Sequence, residues 1–510
     1  MGDISPIQEQ VLKELVGKKA LAKAKGEKGE NNVIYTSFLE TPEYILEQVG
    51  NSELSEHGDL PGVGGYIVFD KESGTTTIEK EFFYNNLYHR PIVSELVGVK
   101  AIYLPSGVEE YGETSDLIAE IRKFINQYAE LPNIFEKIIP YFILFYWVYD
   151  KFPFIPYLHF VGRTGTGKTT AMEVVGRICY KAIDAAGAIT MASIFRTATQ
   201  WRGTMLLDEF SGGGENYHEM IAFLKTGVSD RAILRVEGER EKTVKAFRVK
   251  SPKIFTSEDP ISDAGLQSRT VVVRMEKNGR RIPLYRLNRY EKEAGVLRNK
   301  LLLWRLKNWG KINLDDIEFG YPDLSMFDSR VQQVLTPPFY FSDEATRQDI
   351  VGFAKVQEEE TQRERREALP GQIFQIIMDQ YPISLALSFI VNELNKTRKE
   401  KTEYTAKKIG GLVRKVLGFD TVRANQGYFV VMDGSEGKVN ELCDYYGIPS
   451  PAGRSPSSPS SQKDQIGANY PSKPLVDQSS LTVNQSSLTE MGDSIAPNKE
   501  DTWTGPPELM

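Results

Sequence analysis

Tyr157-Leu-His-Phe-Val161, an apolar run, leads into Gly162-Arg-Thr-Gly-Thr-Gly-Lys-Thr169, and helix-forming Thr170-Ala-Met-Glu173 follows. The octapeptide has the G-x-x-x-x-G-K-[ST] spacing of a phosphate loop, with the strand before it and the helix after it that its mechanics require. Gly162, Gly165 and Gly167 let the backbone wrap phosphates so that N–H groups and the helix N-terminus face negative charge. Arg163, Thr164, Thr166 and Thr170 complete the cradle, Lys168 reaches the β- and γ-phosphates, and Thr169 holds Mg²⁺. ATP with Mg²⁺ is the expected ligand, bound by an α/β domain.

Forty residues past Lys168, Thr204-Met-Leu-Leu-Asp-Glu-Phe210 ends an apolar run in two carboxylates. This is a Walker B pattern: Asp208 orders Mg²⁺ and Glu209 orients or deprotonates an attacking water, which points to hydrolysis. The bland alternative is a strand capped by solvated acids. Lys253-Ile-Phe-Thr-Ser-Glu-Asp-Pro260 reads as a central strand lying between the phosphate-loop and Walker B strands, and Thr256 or Ser257 would sense the γ-phosphate or the water. Ser268-Arg269 then precedes Thr270-Val-Val-Val-Arg-Met275. Placed there, Arg269 is either a surface residue or a finger that enters a neighbour's site.

Together these motifs resemble the AAA+ ATPases, and within them the helicase-like branch of superfamily-three helicases and of phage and plasmid replication proteins. The resemblance covers residues 116–345. It implies a parallel sheet, head-to-tail rings, commonly hexamers, and hydrolysis between subunits. In that branch the sensor strand usually carries Asn, whereas Thr256, Ser257 and Glu258 stand here. Arg330, in Asp328-Ser-Arg-Val-Gln-Gln-Val334, falls where such ATPases put a second sensor on a helical lid; a plain lid-surface Arg is the other reading.

Residues 231–253 carry eight basic residues against three acids, with alternating Ile233, Val236, Val244, Phe247 and Val249 around Gly238-Glu239-Arg240. The pattern predicts a β-hairpin. In the resembled branch such a hairpin enters a ring pore and grips single-stranded DNA by its phosphates, a task suited to Arg235, Arg240, Lys242 and Lys245. A solvated surface hairpin is the alternative. Arg280 to Lys311, with Trp304 and Trp309, form a second basic stretch whose aromatics are expected to pack the lid, and Arg196 faces either a neighbour or the nucleotide. Residues 370–432 read as three helices (Gly371–Asp379, Leu385–Asn395, Thr405–Leu417) and a hairpin (Thr421–Val431), the order of a winged helix. Its third helix buries Ile409, Leu412, Val413, Val416 and Leu417 and presents Lys407, Lys408, Arg414 and Lys415, with Arg423 at the wing; such a helix binds duplex DNA or contacts protein.

At 510 residues and 40% hydrophobic content the chain has room for several cores. The net charge of −7 confines any nucleic-acid contact to local patches. Two distant cysteines, Cys179 and Cys443, fit a reducing compartment and a cytoplasmic protein. No secretory signal is read at the start, and the apolar stretch Ile138–Tyr149 falls short of the ~20 residues that span a bilayer. The expected divisions are an arm (1–31), a small β-rich domain (32–115) with a turn at Lys71-Glu-Ser-Gly74, the ATPase domain (116–345) entered by a helix capped at Ser115 and alternating strand and helix to Ser342, a charged linker (Gln357–Glu367) with the winged helix (346–448), and a disordered Ser/Pro-rich tail (449–510). The leading expectation is a DNA-translocating ring ATPase, a replicative helicase or initiator of a mobile element. An ATP-switched DNA-binding regulator is the second reading. A protein remodeller is the third, for which Ile194-Phe195-Arg196 is a poor pore loop.

Overall fold

Residues 32–115 form β1 (Val33–Tyr35), β2 (Phe38–Glu40), β3 (Tyr44–Val49), β4 (Gly65–Asp70), β5 (Thr76–Glu79), β6 (Phe82–Tyr84), β7 (Leu87–Arg90), α1 (Glu95–Gly98) and β8 (Ile102–Tyr103). The computed structural model describes residues 32–50, 64–184, 190–209, 217–237, 243–277, 279–283, 288–315, 320–397, 403–425 and 427–451; the arm 1–31, Arg240, Lys242 and the tail from 452 lie outside them. β2-β3-β4-β5 make one sheet and β1-β7-β6 another. The β4–β5 turn is set by the Asp70 carboxylate, which accepts 2.9 Å bonds from the N–H groups of Glu72 and Ser73, with Gly74 at φ 68°.

No break in packing falls at residue 115. Ile45, Ile67 and Phe69 share one buried cluster with the elements that follow. Buried Glu47 on β3 also pairs with Lys181 and Arg305 far along the chain.

α2 (Thr114–Tyr128) begins at a capping box of Glu113 and Asp116, so the helix starts before Ser115. Its stripe Leu117, Ile118, Ile121, Phe124, Ile125 and Tyr128 is buried. α3 (Asn133–Trp147) is apolar on all sides and lies inside the protein, every residue from Ile138 to Trp147 being buried. Among the described residues no helix is long and apolar enough to cross a membrane.

The central layer is built from β9 (Tyr157–Val161), α4 (Lys168–Arg177), β10 (Ala182–Asp184), α5 (Met191–Trp201), β11 (Met205–Leu207), α6 (Tyr217–Thr226), the hairpin β12 (Ala232–Glu237) and β13 (Thr243–Arg248), β14 (Lys253–Ser257), α7 (Ala264–Gln267) and β15 (Thr270–Arg274). Its sheet runs β15-β9-β14-β11-β10-β8, parallel throughout except for β8 at one edge. β9 and β14 are buried along their whole length, His159, Lys253, Thr256 and Ser257 included. β14 does lie between β9 and β11. Parallel strands bring their carboxyl ends to one edge, the place where open α/β sheets bind ligands.

After Arg274 the chain turns helical. α8 (Asn288–Asn308), α9 (Ser329–Phe341), α10 (Glu344–Glu367), α11 (Leu369–Gln380), α12 (Leu387–Thr397), α13 (Ala406–Lys415), β16 (Thr421–Ala424), β17 (Gly427–Val430) and α14 (Glu436–Tyr446) complete it. The strand–helix alternation expected to Ser342 therefore stops at β15. Trp304 and Trp309 of the second basic stretch are buried, and Arg298 and Arg305 are buried with them. The charged segment Gln357–Glu367 is the second half of α10, and its Arg366 donates to the carbonyls of Tyr446 and Gly447 at the end of α14. Elements α11 to α14 enclose a separate core around Phe374, Ile409, Val413 and Val430.

Candidate nucleotide and nucleic-acid sites

The loop 162–167 leaves β9 and enters α4 with Gly165 at φ 84° and Gly167 at φ 83°, a left-handed conformation that glycine adopts without strain. At Gly162 a Cβ would lie 2.7 Å from the Met275 carbonyl, so only glycine fits there. The N-terminal N–H groups of α4 have no helical partners and point to the carboxyl edge of the sheet. The Lys168 side chain makes no ion pair among the described residues.

Asp208 and Glu209 follow β11 on the same edge. One oxygen of Asp208 accepts from Thr169 Oγ1 at 3.1 Å and from Thr256 Oγ1 at 2.5 Å. That is a donor set of oxygens beside a helix N-terminus, suited to a hard divalent cation. Asp184, at the end of β10, has its carboxyl raised by burial and, in the same direction, by the charge of Asp208; sequence reasoning missed it because nothing in Ala182-Ile-Asp184 announces a third carboxyl at that edge.

Glu209 sits at φ 53°, a conformation costing a non-glycine residue roughly 1 kcal/mol. Its N–H donates to Thr256 Oγ1 at 2.9 Å, which holds the turn. Thr256 is fully buried and bonded to both acidic residues, so it orients the Walker B turn and has no hydroxyl hydrogen left for a phosphate. Ser257 faces inward as well: its hydroxyl donates to the Asp259 carbonyl at 2.5 Å and meets His159 Nε2 at 2.6 Å. With that hydrogen used, His159 must be the donor in the pair. The Ser257 carbonyl accepts from the Gly162 N–H of the loop at 3.2 Å, and Glu258, just past the strand, accepts from Thr164 Oγ1 at 2.5 Å.

Burial pushes His159 down to about 3, the charge of Arg274 adding to it. Near neutral pH the group is uncharged folded or unfolded and contributes nothing. As pH falls below the ordinary 6.5 the unfolded chain takes up a proton that the native strand refuses, so stability is lost by up to about 1.4 kcal/mol per pH unit until about 3. Urea midpoints of the wild type are therefore expected to drop more steeply than those of His159→Gln between about pH 6 and about pH 4. Parallel slopes would mean that another group carries the acid limb.

Arg269 precedes β15, whose register sets Thr270 beside Tyr157 and Arg274 beside Val161. Arg269 thus lies at the opposite end of the sheet from the chain's own phosphate loop, about 17 Å away at ~3.3 Å per strand residue. An arginine side chain does not span that gap. Arg330, in the first turn of α9, donates to Gln333 Oε1 at 2.8 Å and lies near Arg269, not near the loop.

In the hairpin, Arg235 opposes Lys245 and Ile233 opposes Phe247, while Leu234 opposes Ala246 and Val236 opposes Val244. The first set faces the body: Arg235 pairs with Glu219 and lies over the Phe195 ring. Leu234, Val236 and Val244 are 67%, 62% and 67% exposed, so the outward face is apolar. Lys253, counted in the basic stretch, is buried at the hairpin base, donating to the carbonyls of Val249 and Ser251, and burial drives its pKa far down. Lys250 pairs with Asp230.

The C-terminal patch is more open. Lys407, Lys408, Arg414, Lys415 and Arg423 are exposed, Arg414 donating to Thr421 Oγ1 and Lys408 lying over the Tyr404 ring. Arg423 stands directly opposite Tyr428, 49% exposed, on the β16–β17 hairpin. The sequence signal for Tyr428 is an aromatic just past Gly427 in the returning strand, beside the basic residues.

No family model matches the chain, and no curated protein matches it. Among solved structures, the SCCmec type IV Cch active helicase is 10% identical at a TM-score of 0.42, covering 86% of this chain and 85% of that one. The apo C-terminal region of NrS-1 is 10% identical at 0.35 over 76% and 96%. The JCV helicase is 15% identical at 0.21 over 48% and 66%. These are distant likenesses.

Proposed function

We propose that the chain is an ATP-hydrolysing ring ATPase that moves on DNA, a replicative helicase or initiator of a mobile element. The observation that carries the hydrolytic part is the bonded chain Thr169–Asp208–Thr256–Glu209, which ties the phosphate loop to the Walker B turn across three strands. Lys168 and the N–H groups of α4 bind the β- and γ-phosphates. Thr169 and Asp208 would hold Mg²⁺, which when bound neutralises phosphate charge. Glu209 accepts a proton from the water that attacks the γ-phosphorus, the bond to the β-bridging oxygen breaks, and ADP leaves with phosphate. Arg269 of a neighbouring copy stabilises the charge that develops, which is why the reading includes a ring, six-membered by the resemblance.

The DNA part rests on two surfaces. α11, α12, α13 and the β16–β17 hairpin are read as a winged helix whose Lys407, Lys408, Arg414 and Lys415 meet phosphates, with Arg423 and Tyr428 on the wing. In the β12–β13 hairpin Arg235 is tied to Glu219 and Lys245 lies opposite it, while Arg240 and Lys242 lie outside the described residues, so this surface supports the DNA part less than the C-terminal one does. That restraint on Arg235 favours the second reading, a DNA-binding regulator whose assembly state ATP sets. The remodeller reading loses support because Phe195 is buried against Phe223 and Phe247.

The test is ATP turnover with and without single-stranded DNA, beside a strand-separation assay. Stimulation and unwinding are expected. Turnover without either would overturn the motor and leave the regulator. Arg423→Ala and Lys415→Ala are expected to weaken DNA binding evenly across sequences, each lowering the salt slope by about one.

A further inference from the structure

The three-stranded sheet β1-β7-β6 has one covered face and one that meets water. Its register sets Val33, Tyr88 and Phe83 in one row across the strands and Tyr35 and Arg90 in the next, all on the same side. Arg90 pairs there with Glu81 at 2.7 Å. The other side carries His89, which is buried, and Phe82, whose ring lies 5.6 Å from that of Tyr44 on the four-stranded sheet.

The water-facing side of such a sheet is ordinarily polar. Here it presents Phe83, Tyr88 and Tyr35, each about half exposed. The Asn85-Asn86 turn, with φ 51° and 60°, sets Tyr84 opposite Leu87 and so brings Phe83 beside Tyr88, their centroids 4.9 Å apart. A cross-strand ring pair steadies a hairpin. That leaves Tyr35, two strands over from β6 on the same face, without a reason in the fold.

Three half-exposed rings offer roughly 300 Å² of surface. A stable protein interface takes about 800 Å² from each partner, so a second copy is a poor occupant. Flat rings spread along a sheet suit the faces of unpaired bases, which stack on aromatics whatever the sequence. Positive charge reaches the same edge. In the stretch before β1, Lys18, Lys19, Lys23, Lys25 and Lys28 stand against Glu27 and Glu30, and this arm joins the described chain at Asn32, one residue ahead of Val33.

We propose that the outward face of β1-β7-β6 is a stacking platform for a single DNA strand, with bases on Phe83, Tyr88 and Tyr35 and phosphates met by the lysines of the arm. It rests on the DNA part of the reading above and needs no ATP hydrolysis. The surface is separate from the basic patch of α13 and the β16–β17 hairpin.

Fluorescence anisotropy of an oligothymidylate, and of an abasic strand of equal length, tests this on the full chain without nucleotide. The Phe83→Leu/Tyr88→Leu protein should bind oligothymidylate roughly 5- to 100-fold more weakly and the abasic strand as the wild type does. Phe83→Trp keeps a stacking ring and should keep the affinity. Replacing the five arm lysines with glutamine should weaken both strands alike and flatten their salt dependence; an unchanged salt slope overturns the arm's share. Unchanged oligothymidylate binding in the Phe83→Leu/Tyr88→Leu protein, or an equal loss on both strands, overturns the platform, and binding that still falls with Arg423→Ala leaves the C-terminal surface standing. Self-association of the wild type that this variant abolishes would make the face a contact between copies and overturn the proposal. A wild type that binds neither strand overturns both the platform and the DNA reading beneath it.

Discussion

Glu209→Gln is expected to lower kcat for ATP hydrolysis by ~10²–10⁴-fold while ATP binding persists. Glutamine has the shape of glutamate and keeps the backbone N–H that donates to Thr256, so the φ 53° turn survives. It lacks the proton-accepting carboxylate. Asp208→Asn should behave differently: its amide oxygen can still accept from Thr169 and Thr256, but the carboxylate charge that would draw Mg²⁺ is gone, which raises the Mg²⁺ concentration needed for half-maximal rate as well as lowering the rate. Turnover measured across a Mg²⁺ titration separates the two. A Glu209→Gln protein that turns over normally would move the base elsewhere, and Glu258, already touching Thr164 of the loop, is the next carboxylate to replace.

The phosphate loop and the Walker B turn were legible because each is a local pattern: glycines at fixed spacing, and an apolar run ending in carboxylates. What a side chain faces within such a strand was not. Thr256 and Ser257 are adjacent and differ by one methyl group, yet one braces Asp208 and Glu209 while the other turns to His159, because neighbours on a strand point to opposite faces. Which face meets the site depends on partners fifty and a hundred residues away. The hairpin shows the same limit. Alternation predicted its strands, and alternation alone does not say whether the face bearing Arg235 or that bearing Leu234 meets the body; Glu219 and Phe195 on α6 and α5 decide it. Arg330 was assigned by its place in the chain, whereas its neighbour Arg269 is fixed by sheet register. The separate N-terminal domain was read from β-rich composition, and composition carries no trace of Glu47 reaching Arg305.

Arg305→Met is expected to cost about 3–5 kcal/mol of stability, the range found when one partner of a buried ion pair is removed. Arg305 is fully buried on α8. Its Nε donates to Glu47 at 2.7 Å, its two terminal nitrogens to Asp150 at 2.9 and 2.7 Å, and one of them also to the Trp147 carbonyl. Burial opposes its charge, and the carboxylates of Asp150 and Glu47 overcome that and hold the guanidinium charged. Methionine fills the space between Trp309, Tyr180 and Phe38 but supplies no donor, so Asp150 can turn to water while Glu47, 1% exposed, cannot. Glu47 would be left with Lys181 at 3.0 Å and the Tyr180 hydroxyl at 2.9 Å. Because Arg305 and Glu47 belong to one buried network, the loss in the double variant is expected to differ from the sum of the Arg305→Met and Glu47→Gln losses by more than about 1 kcal/mol, whereas independent sites would add. The four-stranded sheet is fastened to the body at this point, so limited proteolysis of Arg305→Met should cut between the sheet and α2 faster than in the wild type. Urea denaturation of the four proteins in the cycle, with cleavage mapped by mass, reads both effects; additive losses and an unchanged cleavage rate would mean that apolar packing around Ile45, Ile67 and Phe69 holds the sheet without the ion network.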